Sequence, residues 1–208
     1  RAEILMDVDD TDGAAEALAR FADRTEVPDL ALRIGRRAGL GWARAERSRY
    51  EQWREAYEPV AVPGVGSADA GPTVSVILPV CDPPREVLEA AIRSVEGQSY
   101  PRWQLCIADD ASRDPGVRAV LRAAAERDPR IGVVWRPQRG HISAATNSAL
   151  PGATGDWVTF LDHDDRLHPD ALRCVAEVIV AYPELDLVYT DEDKIDEQDS
   201  HFDPHFKP

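Results

Sequence analysis

Leu161-Asp162-His163-Asp164-Asp165 stands between two patterns that together decide the fold. Ahead of it, Gly155-Asp156-Trp157-Val158-Thr159-Phe160 is a short apolar run after a glycine turn, which predicts a buried strand. Behind it, His168-Pro169-Asp170-Ala171 predicts a helix start with Pro169 at the first helical position. The carboxylates therefore fall between the carboxyl end of a strand and a helix N-terminus, the edge at which open α/β sheets bind ligands. Carboxylates this close repel one another unless a cation lies among them, and hard divalent ions take oxygen ligands. A solvated acidic turn whose aspartates cap the helix is the other reading of the same residues.

The strand-then-helix alternation extends in both directions. Upstream, Val74-Ser75-Val76-Ile77-Leu78 predicts a strand stopped by Pro79, and Pro83-Pro84 open a helix with Leu88, Ala91, Ile92 and Val95 inward. Leu105-Cys106-Ile107-Ala108 is a second strand ending at Asp109-Asp110. Asp114-Pro115 start a helix carrying Val117, Val120, Leu121 and Ala124. Ile131-Gly132-Val133-Val134-Trp135 is a third strand, followed by a short helix from Ser143 to Leu150. Downstream, a helix carries Leu172, Val175 and Ile179, and Leu185-Asp186-Leu187-Val188-Tyr189 is a fifth strand. This order predicts a mostly parallel sheet with helices on both faces.

Residues 1–72 read differently. Asp7-Val8-Asp9-Asp10-Thr11 has the DxDxT spacing of haloacid-dehalogenase phosphatases, but only Ile4-Leu5-Met6 precede it. Too few residues follow for the doubly wound sheet such a site needs, so capping of a helix through Ala14, Leu18 and Phe21 is the better reading. From Arg33 to Arg54 the chain is basic, with Trp42, Tyr50, Trp53 and Tyr57 on one helical face and Pro59 ending the pattern. Such a stripe packs on neighbouring structure or lies on an anionic membrane surface. Residues 60–72, rich in Pro, Gly, Ala and Ser, read as a linker. The expected organisation is a helical extension over 1–59, the linker over 60–72, and an α/β domain over 73–208.

With 43% hydrophobic and 30% charged residues the chain has a globular composition, and its net charge of -14 argues against nucleic acid as a partner. An acidic protein still binds a diphosphate when a metal ion bridges the two. Cys81, Cys106 and Cys174 are odd in number and widely spaced within apolar runs, which excludes a CxxC site and predicts reduced, buried thiols of a cytoplasmic protein. No run of about 18 apolar residues and no signal peptide is present, and the start at Arg1 reads as a piece of a longer chain.

Six segments, in order, resemble the family 2 glycosyltransferases of the GT-A fold that build bacterial O-antigen and related surface polysaccharides. They are residues 74–80, then 90–95 with Gln98-Ser99-Tyr100-Pro101, Ala108-Asp109-Asp110-Ala111-Ser112, residues 140–147, Asp162-His163-Asp164-Asp165, and Asp191-Glu192-Asp193-Lys194-Ile195-Asp196. The resemblance covers about residues 73 to 208, and it implies an α/β, Rossmann-like sheet binding a UDP- or dTDP-sugar.

It also implies roles. Pro79, Val80, Cys81 and Asp82 place backbone against the base, with Cys81 where the family commonly has an aromatic. Asp110 accepts the pyrimidine N3–H, while Asp109 is structural. Asp162 and His163 approach the ribose and diphosphate, and Asp162 with Asp164 holds Mg²⁺ or Mn²⁺. Gly140 and Asn147 lie on the loop and helix that approach the donor. The expected activity is metal-dependent, inverting transfer to a saccharide acceptor, lipid-linked in some relatives, at the inner face of the membrane. Arg33–Arg54 is the candidate contact with that surface, although packing on neighbouring structure is the preferred reading of its aromatic stripe. Relatives take their general base from a region beyond Pro208, so this chain alone is expected to bind donor without transferring sugar; Asp191 and Asp193 are the only candidates within it.

His201 and His205, four apart around Asp203, suggest metal ligands, but Pro204 and Pro208 oppose a helix and a loop is expected. Asp191, Glu192, Asp193, Asp196, Glu197 and Asp199 read as a solvated acidic loop. Two competing functions remain. A sugar-1-phosphate nucleotidylyltransferase needs a glycine-rich loop where Pro79-Val80-Cys81-Asp82-Pro83-Pro84 is poor in glycine. A non-catalytic donor-binding module differs from an enzyme only in product formation.

Overall fold

The computed structural model describes residues 50–54, 71–196 and 198–207. The chain divides into two compact units, Ala61–Val188 and a second made of Arg1–Val60 with Tyr189–Pro208. The Asp7 to Phe21 segment, most of the basic stretch and most of the expected linker lie outside the described residues.

In the first unit, β1 (Val74–Val80), α1 (Arg85–Glu96), β2 (Trp103–Asp109) and α2 (Pro115–Arg127) are followed by β3 (Ile131–Trp135) and α3 (His141–Ala149). A single 3₁₀ turn (Leu150–Gly152), β4 (Trp157–Phe160) and α4 (Ala171–Ala181) complete it. All four strands are parallel, in the order β3-β2-β1-β4. Every residue of β1 is buried, as a central parallel strand covered on both faces demands. Its alternate residues divide between two cores. Val74, Val76, Leu78 and Val80 pack with Leu88 and Ile92 of α1, Val117 and Leu121 of α2, and Leu172 and Ala176 of α4. On the opposite face, Ile77 meets Cys106, Ala108 and the small residues Ala145 and Ala149 of α3. The helix-flanked parallel sheet predicted from the alternation is thus present.

Several local expectations are corrected. Pro79 lies within β1, opposite Ala108, instead of ending it. The Ile77 carbonyl accepts the Leu161 N–H at 3.0 Å. Residues two apart face the same edge, so Pro79 turns its donorless nitrogen toward β4 beyond Phe160, where that ladder has ended. Helix α3 begins at His141, before Ser143. Helix α4 is N-capped by Asp170, which leaves Pro169 in the preceding turn. Residues 185–189 form no strand; they are irregular, with Leu187 76% exposed. Cys106 is buried and Cys81 partly so, but Cys174 is exposed, two residues from inward-facing Leu172 and hence on the far side of α4.

In the second unit, residues 50–54 are helical, and β5 (Glu192–Ile195) pairs antiparallel with β6 (His201–His205). The acidic stretch and the His201 segment, both expected as loops, therefore form a hairpin. The Tyr50 hydroxyl donates to Asp193 Oδ2 at 2.8 Å, and Trp53 stacks on Tyr50 and meets Phe206 edge-on. Among the described residues no helix is long and apolar enough to cross a membrane.

Candidate functional site

The carboxyl ends of the parallel strands open on a cleft of about 220 Å³. Pro79 and Val80 line it from β1 and Cys81 from just beyond it, Asp110 from the residue after β2, and Asp162, His163 and Asp164 from the turn after β4. Arg139 from the β3–α3 loop and His141, Ile142 and Ala145 from α3 complete the lining. Each residue arrives there because its strand runs parallel to its neighbours, so all the strand ends share one edge.

Asp109 and Asp110 end β2 facing opposite ways. Asp109 is fully buried and turns into the following loop, where Oδ1 accepts the Ser112 N–H at 3.2 Å. Its Oδ2 accepts no hydrogen bond, and Arg118 Nε stands 3.9 Å away. Asp110 turns toward the cleft. Arg136 Nε donates to its Oδ1 at 2.7 Å, and the Gly140 N–H to Oδ1 and Oδ2 at 2.9 and 3.0 Å. Burial alone would push this carboxyl up, yet the Gly140 N–H, the Arg136 guanidinium and the His141 backbone together hold it below the usual carboxylate range. A β-carbon at Gly140 would crowd Arg136 Nη2 and stand 2.9 Å from Ala144 Cβ, so glycine leaves the guanidinium its place.

Cys81 Sγ donates weakly to the Asp110 carbonyl at 3.6 Å. Burial raises its thiol pKa, only partly offset by the Arg139 cation, so it stands in the cleft as a neutral, small, soft surface. Asp162 to Asp165 form a turn closed by the Asp165 N–H on the Asp162 carbonyl at 3.1 Å, directly after the last ladder bond of β4. The way back to α4 is held from α1: the Leu167 N–H donates to Ser94 Oγ at 3.1 Å, and Ser99 Oγ donates to Asp170 Oδ1 at 2.6 Å.

Three residues expected at the nucleotide do not line the cleft. Asp82, at φ 50°, ties two loops together, its Oδ1 accepting the Arg113 and Asp114 N–H groups at 2.6 and 3.2 Å. Gly140 acts through Asp110, and Asn147 is exposed on α3. Asp191 and Asp193 belong to the other unit. There Asp191 accepts the Lys207 N–H at 2.7 Å, and Asp193 Oδ2 bonds both Tyr50 and His201 Nδ1 at 2.8 Å. Conversely, Arg136, Arg139 and His141 stand at the site without having been singled out. Their signal was positional: a basic run directly after a parallel strand falls on the ligand edge.

The residues present fit a divalent ion of the magnesium type. Such an ion uses one or two carboxylates and fills its remaining positions with water and substrate phosphate. Two cleft-facing carboxylates, Asp162 and Asp164, supply that set, and among the described residues no group of three or more His, Cys, Asp or Glu forms an all-protein cage.

The family model described as glycosyl transferase family 2 matches residues 75–203, spanning every strand end that forms the cleft. Protein y4gI of Sinorhizobium fredii is 51% identical over 138 residues, 66% of this chain and 15% of its own length. The O-antigen biosynthesis protein RfbC of Myxococcus xanthus is 40% identical over 163 residues, 76% of this chain and 13% of its own length. The chain thus spans less than a sixth of either relative. Among solved structures, a Pyrobaculum calidifontis mannosyltransferase in complex with GDP-Man and Mn²⁺ aligns with a TM-score of 0.49 at 23% identity, covering 80% of this chain and 43% of that one. With the family match running from Ser75 in β1 to Asp203 in β6, through the acidic turn and the Asp110 strand end, the chain belongs to glycosyl transferase family 2.

Proposed function

We propose that this chain carries the donor-binding part of an inverting glycosyltransferase that moves a sugar from a UDP- or dTDP-sugar to a growing bacterial surface polysaccharide. The observation that carries the reading is the single cleft that faces Asp110 from one side and Asp162 and Asp164 from another. Asp110 offers a fixed negative acceptor for a base edge that presents an N–H. Arg136, the Gly140 N–H shared between both oxygens, and the His141 backbone hold the carboxylate in place beside the cleft as an anion. Pyrimidines with an N3–H suit that edge, and uracil and thymine look alike from it.

At the other end, Asp162 and Asp164 would hold Mg²⁺ or Mn²⁺, which when bound supplies charge to a diphosphate leaving group. Arg139 adds an exposed cation beside the same cleft. The apolar wall of Pro79, Val80, Ile142 and Ala145 limits water around the bound nucleotide. Kinship with RfbC supports a polysaccharide product. The glycine-poor run after β1 disfavours the nucleotidylyltransferase alternative, which must cradle a triphosphate there.

Calorimetry with UDP, dTDP and CDP, with and without Mn²⁺, tests the reading. UDP and dTDP should bind alike and need the ion, and CDP should bind poorly. CDP binding as tight as UDP, or metal-independent UDP binding, overturns it.

A further inference from the structure

The Asp110 carboxylate is held by a side chain that reaches three parts of the unit. Arg136 leaves the end of β3 and gives Nε–H to Asp110 Oδ1 at 2.7 Å. Its Nη1 donates to the Ala144 carbonyl at 2.8 Å and to Ser148 Oγ, while Ser148 Oγ itself donates to Ala144 O at 2.8 Å. The Arg136 side chain is only 18% exposed, and the carboxylate it meets is buried. A planar fork bound at Asp110 and at two points on α3 has no freedom to rotate away. Gly140, whose missing side chain makes room for Nη2, supplies a backbone donor to both oxygens, beside that of His141. Arg136 itself is not part of the cleft lining.

We propose that Arg136 is a positioning residue for base selection: it locks Asp110 in one orientation as an acceptor that never donates, so that the site takes a base edge carrying N–H and refuses one carrying a lone pair. The inference rests on the reading of Asp110 given above and adds the group that enforces it. Without the guanidinium, Asp110 would keep the Gly140 N–H but lose its charged partner in a buried place. The carboxyl would then protonate more readily. A protonated Asp110 donates, so it would lose the uracil N3–H contact and gain one to cytosine N3.

The other titratable or charged groups around Asp110 are Cys81 just after β1, Asp109 beside it at the end of β2, and Arg139 and His141 on the loop and helix. Asp162, His163 and Asp164 face it across the cleft. All of them remain in an Arg136 variant, so a difference in pH profile between variant and parent belongs to the Arg136–Asp110 pair.

The test is calorimetry of the whole chain with UDP and with CDP, in Mn²⁺, from about pH 5.5 to about pH 8. The parent arm examines the reading of Asp110: a UDP preference at every pH supports it, and equal affinities overturn it together with the present inference. The variant arms examine Arg136. Arg136→Gln should lose roughly tenfold in UDP affinity near neutrality, and its UDP-to-CDP ratio should narrow steadily as pH falls. Arg136→Lys keeps the charge and should hold that ratio flat with a smaller loss. Equal losses for UDP and CDP with a flat ratio in Arg136→Gln would mean that Arg136 only supports the fold, and the proposal falls. If Arg136→Gln melts below the assay temperature, Arg136→Lys decides alone. Its ammonium cannot reproduce Nε and Nη1 together, so its loss must fall on UDP more than on CDP, and equal losses overturn the proposal.

Discussion

The Gln98 side-chain carbonyl, at the end of α1, accepts the Leu172 N–H of α4 at 3.0 Å, although 74 residues separate them. The same amide donates through Nε2 to the Ser94 carbonyl at 2.9 Å and to the His168 carbonyl at 2.7 Å. A helix start leaves N–H groups without intrahelical acceptors, and Asp170 makes no side-chain cap to α4. Gln98 therefore serves as a cap delivered from another helix, and it closes the chain that leaves the acidic turn. Gln98→Ala would leave the buried Leu172 N–H unsatisfied, a cost of about 1–3 kcal/mol. Thermal unfolding followed by circular dichroism should show a melting temperature lower by several degrees. An unchanged value would mean that water replaces the amide without loss.

Asp164→Asn should abolish metal-dependent nucleotide binding while leaving the fold intact. The substitution removes an anionic oxygen from a hard-cation site, and Asp164 is exposed, so no packing is lost. Calorimetry should find UDP affinity in Mn²⁺ no better than in its absence, with the parent's melting temperature retained. Parent-like Mn²⁺ dependence would remove Asp164 from the ligand set.

Acid should weaken the first unit through two aspartates outside the cleft. Hydrogen bonds from Arg130 hold the Asp128 carboxyl below its usual range, and Arg173 with Ser99 does the same for Asp170. Both carboxyls are more acidic folded than unfolded. Their contribution is therefore complete above the unfolded value of about 4 and is lost as pH falls through the lower folded values. Asp170→Asn should lower the melting temperature at neutral pH and make its decline below about pH 4 shallower than the parent's. Parallel declines in mutant and parent would show that Asp170 contributes nothing to that limb.

The parallel sheet was legible because its two central strands are buried and read as mostly apolar runs, as 74–80 and 103–109 do, whereas β4, expected buried, alternates half-buried and exposed residues with Phe160 out. That same signal misleads where burial is absent. Leu185, Leu187 and Tyr189 alternate like a strand, yet periodicity carries no information about whether an edge is available to pair with. The reverse error hid β5: Glu192–Ile195 alternates exposed and half-buried, but its charges made it read as a loop. In the site, the cleft-lining Asp110, Asp162 and Asp164 were legible from strand-end position. Asp82 was not separable from them, since only the fold shows its carboxylate spent on the Arg113 and Asp114 N–H groups. The place of Arg136 after a parallel strand puts it at the ligand edge, but its partner Asp110, 26 residues away, shows only in the fold.

Two glycine substitutions should move stability in opposite directions. Gly155 opens β4, and its N–H donates to Ser75 Oγ at 3.0 Å as the strand draws alongside β1. A β-carbon at Gly155 would stand 2.6 Å from the Thr73 carbonyl oxygen, 2.8 Å from Ser75 Oγ and 3.1 Å from the Ser75 nitrogen. Two of those atoms are backbone in or beside the central strand and cannot yield as a flexible side chain does. Gly155→Ala should therefore cost about 1–3 kcal/mol by overpacking. It should also weaken nucleotide binding, because β4 leads within a few residues to Asp162. Gly132, on the edge strand β3, would place a β-carbon with nothing within 4 Å. Gly132→Ala should instead gain about 0.4–1 kcal/mol by restricting the unfolded chain. Urea unfolding of the two variants beside the parent measures both at once. The account of β4 docking fails if Gly155→Ala is as stable as Gly132→Ala.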